Sequence, residues 1–428
     1  MENKRVVQNA AWIIGCRIAQ AVLGMVITMI SARYLGPSGF GLINYAASIV
    51  TFVVPVMQLG LNSTLVHEII NAPEQEGQIL GTAMVMSLLS SLFCILGVIT
   101  FAMIANAGET VTIVTCGLYS LQLIFQSLDI VRCWFQAKLL SKYVSVTVLA
   151  AYFLTAVYKI VLLATGCSVY WFALAQTVDY CIISLTMLVI YRKLGTRKFG
   201  FSWSLAGQLF ARSKYYIVSA MMVTVFAQTD RIMLKLMMDD AAVGYYSAAT
   251  TCAGMTSFVF VAILDSFSPV LLERKKNGGA GFEDGVSGLY SVIIWLSLLQ
   301  CLAMTLFAGF IIRILYGADF QPAVSALQII VWYTTFSYLG SVRNIWILAQ
   351  QQQRWLWIIN LSGAVANVAL NAWLIPVMGI NGASLASLVT QIFTNVVVGF
   401  IIGPIRRNNV LMLRGLDLRR AADMVRSR

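Results

Sequence analysis

A chain of 428 residues that is 59% hydrophobic and 11% charged, with a mean hydropathy of +0.82, is not a water-soluble globule, in which roughly a quarter of residues carry charge. Its net charge of +12 would suit nucleic acid only if the basic residues shared a soluble face, and they lie instead in short connectors between apolar runs. The eight cysteines fall mostly within apolar runs and form no C-x-x-C pair or other metal-ligand spacing, so they read as small core residues with no metal and no disulfide framework.

In chain order, MENKR is followed by an apolar run from about 9 to 34. It is too long for a signal-peptide core and lacks a small-residue cleavage site, so it is expected to stay as a first membrane span. Further runs lie at about 39–61, 78–105, 110–131, 143–165 and 168–191. A second half follows at about 215–238, 242–268, 287–315, 322–348, 355–378 and 380–403. The expectation is an all-α polytopic membrane protein with about 12 transmembrane helices. Four segments result: an N-terminal six-helix lobe (1–191), a cytoplasmic linker with an interfacial helix capped by Ser202 (192–214), a C-terminal six-helix lobe (215–404) and a basic tail (405–428) that suits an anionic membrane surface.

Charge bias orients the spans. With the N-terminus cytoplasmic, the inner segments hold 22 of the 29 Lys and Arg, including six in 192–214 and seven in the C-terminal tail. The opposite connectors at 106–109, 166–167, 239–241, 317–321 and 376–379 hold none. The positive-inside rule therefore puts both termini in the cytoplasm. No connector is long enough for a soluble domain.

Charges inside the apolar runs are the candidate functional groups, because each costs about 2.5–3.5 kcal/mol at a helix centre and is normally turned toward protein or a wet cavity. The seventh run, YYIVSAMMVTVFAQTDRIMLKLMM, carries Asp230, Arg231 and Lys235. Arg231 and Lys235 are four apart and share a helical face with Thr224 and Gln228. Arg17 in the first run and Lys159 in the fifth are further cations, and Asp179 and Asp129 further acids; Arg33, Arg313 and Arg343 lie near helix ends and read as interfacial anchors. Polar stripes at helical spacing add hydrogen-bonding groups. They comprise Arg17, Gln20 and Thr28 in the first run, Tyr119, Gln122, Gln126 and Asp129 in the fourth, Asn360, Asn367 and Asn371 in the eleventh, and Ser384, Ser387, Gln391 and Asn395 in the twelfth. Such stripes either line a cavity or bind membrane helices to one another.

The two halves repeat weakly. RYLGPSGFGLINYAAS (Arg33 to Ser48) and LKLMMDDAAVGYYSAAT (Leu234 to Thr250) align with Gly41 on Gly244, an offset of 203 residues. The phrases RYLGPSGFG and TDRIMLKLMMDDAAVGYYSAA resemble the polysaccharide-export branch of the multidrug, oligosaccharidyl-lipid and polysaccharide exporters, and within it the Wzx-type flippases of O-antigen repeat units. Members of that family often carry a second Gly-Pro pair after the seventh span, where this chain has Asp239 and Asp240.

The resemblance implies a MATE-like fold of two six-helix bundles in a V, in a bacterial inner membrane. The implied substrate is an undecaprenyl-diphosphate-linked oligosaccharide passed to the outer leaflet, with a polymerase and a chain-length regulator as partners and no nucleic acid. Arg17, Lys159, Arg231 and Lys235 are then candidates for the diphosphate, and Gln20, Gln122, Gln126, Asn367, Asn371 and Gln391 for the glycan. Arg17 and Arg231 would sit on opposite walls of one cavity. No cofactor is expected; H⁺ or Na⁺ coupling would use Asp179, Asp230 or Asp129.

Two other classes compete. A cation-coupled multidrug exporter would want a more acidic and aromatic cavity than these candidates supply. A membrane enzyme of polysaccharide assembly would want a catalytic group, and the sole histidine, His67, reads as a surface residue in a cytoplasmic connector. No metal site and no P-loop or dinucleotide fingerprint is present in the sequence.

Overall fold

The computed structural model describes residues 23–195, 198–277 and 281–421 together with Gln20, and gives 2–22 otherwise as helical backbone only. Every regular element among the described residues is helical. The chain divides into two compact units, Met1–Gln228 and Thr229–Arg428.

In the first unit, the helix Glu2–Met57 is interrupted at Gly36 (φ 66°, ψ 177°), a backbone conformation open essentially only to glycine, with Pro37 directly after it. Helices Glu76–Ala105, Ser141–Ala164 and Val169–Leu194 follow the expected spans closely. The fourth expected span is segmented: Thr110–Ser120 and Gln122–Leu128 lead through a 3₁₀ turn at Asp129–Val131 into Arg132–Ala137. The apolar heart of this unit gathers Leu61, Leu65, Trp134, Phe135, Met187 and Tyr191.

The second unit takes up Asp240–Gly254 and Ser257–Lys276, which meet at a 43° bend, then Phe282–Leu315, Ala323–Ala349 and Leu356–Met378. Helix Ile380–Ile392 continues through a π-helical turn at Phe393–Val397 into Val398–Ile401. Phe260, Phe282, Tyr290, Val342 and Trp346 belong to its core.

Helix Trp203–Met237 runs unbroken for 35 residues. Residues 203–214, expected within a separate interfacial helix, are its opening turns, and Ser202 Oγ accepts from the Leu205 amide at 3.4 Å. The stretch just before it lies against Glu76–Ala105, where Gly200 donates its amide to the Gly77 carbonyl at 3.2 Å. The C-terminal tail is also more engaged than a surface strip. Its helix Arg406–Arg414 buries Asn408 and Asn409, which bond to Tyr290 and to the Val396 carbonyl.

Among the described residues, nine helices are long and apolar enough to cross a membrane, or ten when the bent pair counts as one span. Two features separate this number from the twelve expected. The two helices that meet at the Gly36 kink count once, as Leu23–Met57, and Ala323–Ala349, with Thr334, Thr335, Ser337 and Arg343, is not among the nine. The surface agrees with a lipid setting: Leu302, Leu306, Phe307 and Phe310 all stand exposed on Phe282–Leu315, a stripe that water would penalise and lipid would not.

The turn after Met57 places Leu59 (φ 51°) and Gly60 (φ 66°) in the left-handed region, and a Cβ on Gly60 would lie 2.5 Å from the Ser213 carbonyl oxygen. Gly60→Ala is therefore expected to destabilise by about 1–2 kcal/mol from its backbone conformation alone. Gly207→Ala, in a helix with nothing within 4 Å, is expected to stabilise by up to about 1 kcal/mol. Thermal unfolding of the detergent-solubilised protein checks both signs.

Candidate functional site

The ionic cluster of the seventh span lies in the second unit, and each of its charges has a different solution. Asp230 is 6% exposed and accepts hydrogen bonds from three other helices. Tyr246 donates its hydroxyl to Oδ2, Ser387 Oγ donates to the same oxygen at 2.5 Å, and Asn371 Nδ2 donates to Oδ1 at 2.6 Å. Asn371 also donates to Asn367 Oδ1 at 3.1 Å, and both asparagines are fully buried. Three neutral donors thus satisfy both oxygens of one carboxylate, which is how a buried acid escapes the cost of an unpaired polar group.

Arg231 and Lys235 turn toward helix Asp240–Gly254. Arg231 donates from Nε to Ser247 Oγ and from Nη2 to Thr250 Oγ1, both at 3.1 Å. Lys235, 6% exposed, pairs with Asp240 at 3.0 Å. Asp239 caps the same helix, its Oδ1 accepting from the Ala242 amide at 2.7 Å. These contacts explain the missing Gly-Pro pair. At the offset of 203, Asp239 falls on Gly36 and Asp240 on Pro37, so the break occurs at the same register and is closed by a cap and an ion pair instead of glycine and proline.

Gln391 is 7% exposed and its side-chain oxygen accepts from Asn395 Nδ2 at 2.5 Å. A Cβ on Gly363 would meet the Thr394 methyl at 2.6 Å, so the polar stripes of Leu356–Met378 and Ile380–Ile392 lie against each other. The geometry therefore brings Asp230, Asn367 and Asn371 into one network, while Gln391 bonds to Asn395.

In the first unit, Lys159 and Asp179 line one small pocket with Thr28, Tyr152, Thr155 and Gln176. Asp179 is 5% exposed and accepts from Thr155 Oγ1 at 3.2 Å. Asp129 is ion-paired with Arg132 at 2.7 Å and borders a second, larger pocket that includes Gln126 and Tyr180. Gln122 is buried and Gln20 half-buried. The side chain of Arg17 lies outside the described residues.

Comparison with known proteins agrees with this architecture. Residues 6–274 match the model of the family described as "Polysaccharide biosynthesis protein", which is more than half of the chain. The chain belongs to the polysaccharide biosynthesis protein family. No curated protein matches the sequence significantly. Among solved structures, the lipid II flippase MurJ in an inward closed conformation superposes with a TM-score of 0.74 at 14% identity, covering 95% of this chain and 91% of that one. An inward-facing multidrug resistance MATE transporter of the MOP superfamily gives 0.66 at 14% identity, covering 92% and 95%. The MATE multidrug transporter DinF-BH gives 0.61 at 14% identity, covering 92% of each chain. This family member thus has the MurJ and MATE fold.

Sequence spacing missed two residues of this polysaccharide biosynthesis protein. Arg343, expected as an interfacial anchor, is 5% exposed in the second unit, where it donates to the Thr394 carbonyl at 3.0 Å and to Asn344 Oδ1 at 3.1 Å. The carbonyl belongs to the π-helical turn, whose loosened backbone gives the guanidinium an acceptor that a regular helix would withhold. Tyr246 was missed because an aromatic ring counts as apolar in a periodicity reading; its place in GYYSAA, directly before Ser247, was the available signal.

The break between Lys235 and Asp240 is open to a direct test. Asp239→Ala is expected to cost about 1 kcal/mol through loss of the cap. In a double-mutant cycle, Lys235→Met and Asp240→Leu together are expected to cost less than the sum of the single changes, because each single change removes one charge of an ion pair that holds the buried Lys235, and the double change removes both. Unfolding midpoints of the four proteins measure the difference.

Proposed function

We propose that this chain is a flippase that carries an undecaprenyl-diphosphate-linked oligosaccharide from the cytoplasmic to the outer leaflet of a bacterial inner membrane by alternating access. The observation that carries the reading is the placement of Arg231 and Lys235 on one face of a membrane helix, next to a buried carboxylate. Membership in a polysaccharide biosynthesis family and a fold shared with a lipid II flippase support it. Both termini are assigned to the cytoplasm from the Lys and Arg bias.

In this mechanism Arg231 offers its planar fork to diphosphate oxygens as its bonds to Ser247 and Thr250 exchange. Lys159, Lys235 and Arg17 supply further positive charge along the path, and amide groups such as Gln122 and Gln126 bond glycan hydroxyls. The lipid tail stays in the bilayer. Asp230 is the coupling group: a single negative charge held by the hydroxyls of Tyr246 and Ser387 and the side-chain amide of Asn371 can exchange these donors for Na⁺ or a proton. Neutralising the carboxylate weakens it as an acceptor, and with it the ties among the four helices it joins. A polysaccharide polymerase and a chain-length regulator are the partners this role calls for.

Proteoliposomes loaded with a fluorescent lipid-linked glycan, read by lectin access to each leaflet, test the proposal. Wild-type protein is expected to equilibrate the glycan. Arg231→Ala is expected to slow translocation about tenfold or more and Arg231→Lys less, because a point charge keeps the attraction but not the two-oxygen contact. Asp230→Asn is expected to remove the response to an imposed Na⁺ or H⁺ gradient. Export of lipophilic cations without movement of the glycan would transfer the chain to the multidrug class.

A further inference from the structure

A pocket of about 380 Å³ opens inside the first unit. Its position follows from two local failures of α-helix geometry. Helix Glu2–Met57 stops just before Gln58, and the chain turns sharply through the left-handed Leu59 and Gly60 to present Asn62. The fourth span tightens to a 3₁₀ turn at Asp129–Val131, where residues three apart eclipse, so Asp129 and Arg132 stand one above the other and pair at 2.7 Å. Interruptions of this kind inside a membrane helix are tolerated where the backbone lines a polar cavity.

The lining chemistry is specific. Gln58, Asn62, Gln126 and Gln136 bring four side-chain amides, and Tyr180 adds a ring with a hydroxyl. Three buried atoms of lining residues, Ser87 Oγ, Asp129 Oδ1 and Arg132 Nε, make no hydrogen bond within the protein. A buried unsatisfied polar atom costs about 1–3 kcal/mol, so three of them around one cavity point to a ligand that both donates and accepts. The charge balance narrows the class. Asp129 and Arg132 neutralise each other, which leaves the pocket without the net positive charge a phosphate requires. Among the described residues no group of His, Cys, Asp and Glu suits a metal ion. A neutral polyhydroxyl ring fits what remains, since an amide or carboxylate can bond adjacent hydroxyls while the Tyr180 ring covers an apolar face.

We infer that this pocket is a subsite for one neutral sugar ring of the glycan, separate from the groups that hold the diphosphate. The inference rests on the flippase reading and gives it a division of labour: Arg231, held by the neutral hydroxyls of Ser247 and Thr250, attracts the anion, and the first unit's pocket recognises a sugar. The pocket adjoins Arg132 and the basic segment 132–142, on the side that charge bias assigns to the cytoplasm, from which a lipid-linked glycan enters.

Full-length protein in nanodiscs, mixed with methyl glycosides of glucose, galactose, N-acetylglucosamine and N-acetylgalactosamine, tests the inference by saturation-transfer NMR. At least one glycoside is expected to bind, and Gln126→Leu and Gln136→Ala are each expected to weaken it about tenfold. Gln136 is exposed, so its variant does not disturb the core. Inorganic pyrophosphate is expected not to displace the sugar. Absence of binding by every glycoside, binding undiminished in both variants, or displacement by pyrophosphate overturns the inference. The lectin assay separates this from the parent reading: glycoside binding here without translocation removes the flippase assignment and keeps the pocket, whereas translocation without glycoside binding does the reverse.

Discussion

One carboxylate sets the terms for the second unit. Asp230 sits within an apolar run, where a charge without partners would be costly, and it is held by one donor from each of three other helices, the next in the chain and two far along it. Those donors converge only because the backbones come close. A Cβ on Gly363 would meet Thr394, and one on Gly382 would run into the Leu374 carbonyl, so small residues bring Leu356–Met378 and Ile380–Ile392 together and set Asn371 and Ser387 on the same carboxylate. Replacing either glycine would move the donors as well as the helices.

The first unit shows that the fold does not itself demand this network. At the offset of 203 residues, Asp230 corresponds to Ile27 and Tyr246 to Ile43. Ile27 is buried and offers no polar group, and the polar work of that unit is displaced to Asp129 with Arg132 and to Asp179 with Thr155. What the halves share is the break, with Gly36 in one and Asp239 in the other. The two solutions differ in physics. Glycine permits a backbone that other residues resist, whereas Asp239 keeps an extended backbone and satisfies the exposed amide of Ala242.

This contrast shows what the sequence could convey. Hydropathy located the helices, and the spacing of Arg231 and Lys235 correctly put both on one side, because such patterns repeat within a few residues. The partners of Asp230 were hidden for the opposite reason: Asn371 and Ser387 lie 141 and 157 residues away, and no periodicity relates them. Arg343 illustrates a second limit. Its distance from the helix end suggested an anchor, yet its environment depends on a π-helical turn that hydropathy does not register. The sugar-sized pocket needed both the turn at Leu59 and Gly60 and the 3₁₀ segment at Asp129, neither of which leaves a pattern longer than a few residues.

The arrangement around helix Asp240–Gly254 carries the coupling argument one step further. Its first turn is pinned twice, by the Asp239 cap and by the Lys235–Asp240 pair, while at its last residue, Gly254, a Cβ would meet nothing within 4 Å, and the chain leads on into the 43° bend. Tyr246, Ser247 and Thr250 lie between these ends and tie the helix to Asp230 and Arg231. A helix fixed at one end and interrupted at the other responds to a change in its middle by pivoting at the interruption. In the proposed cycle, neutralising Asp230 and drawing Arg231 toward an anion would therefore act on the same lever, and the bend at 255–256 is where their effects add.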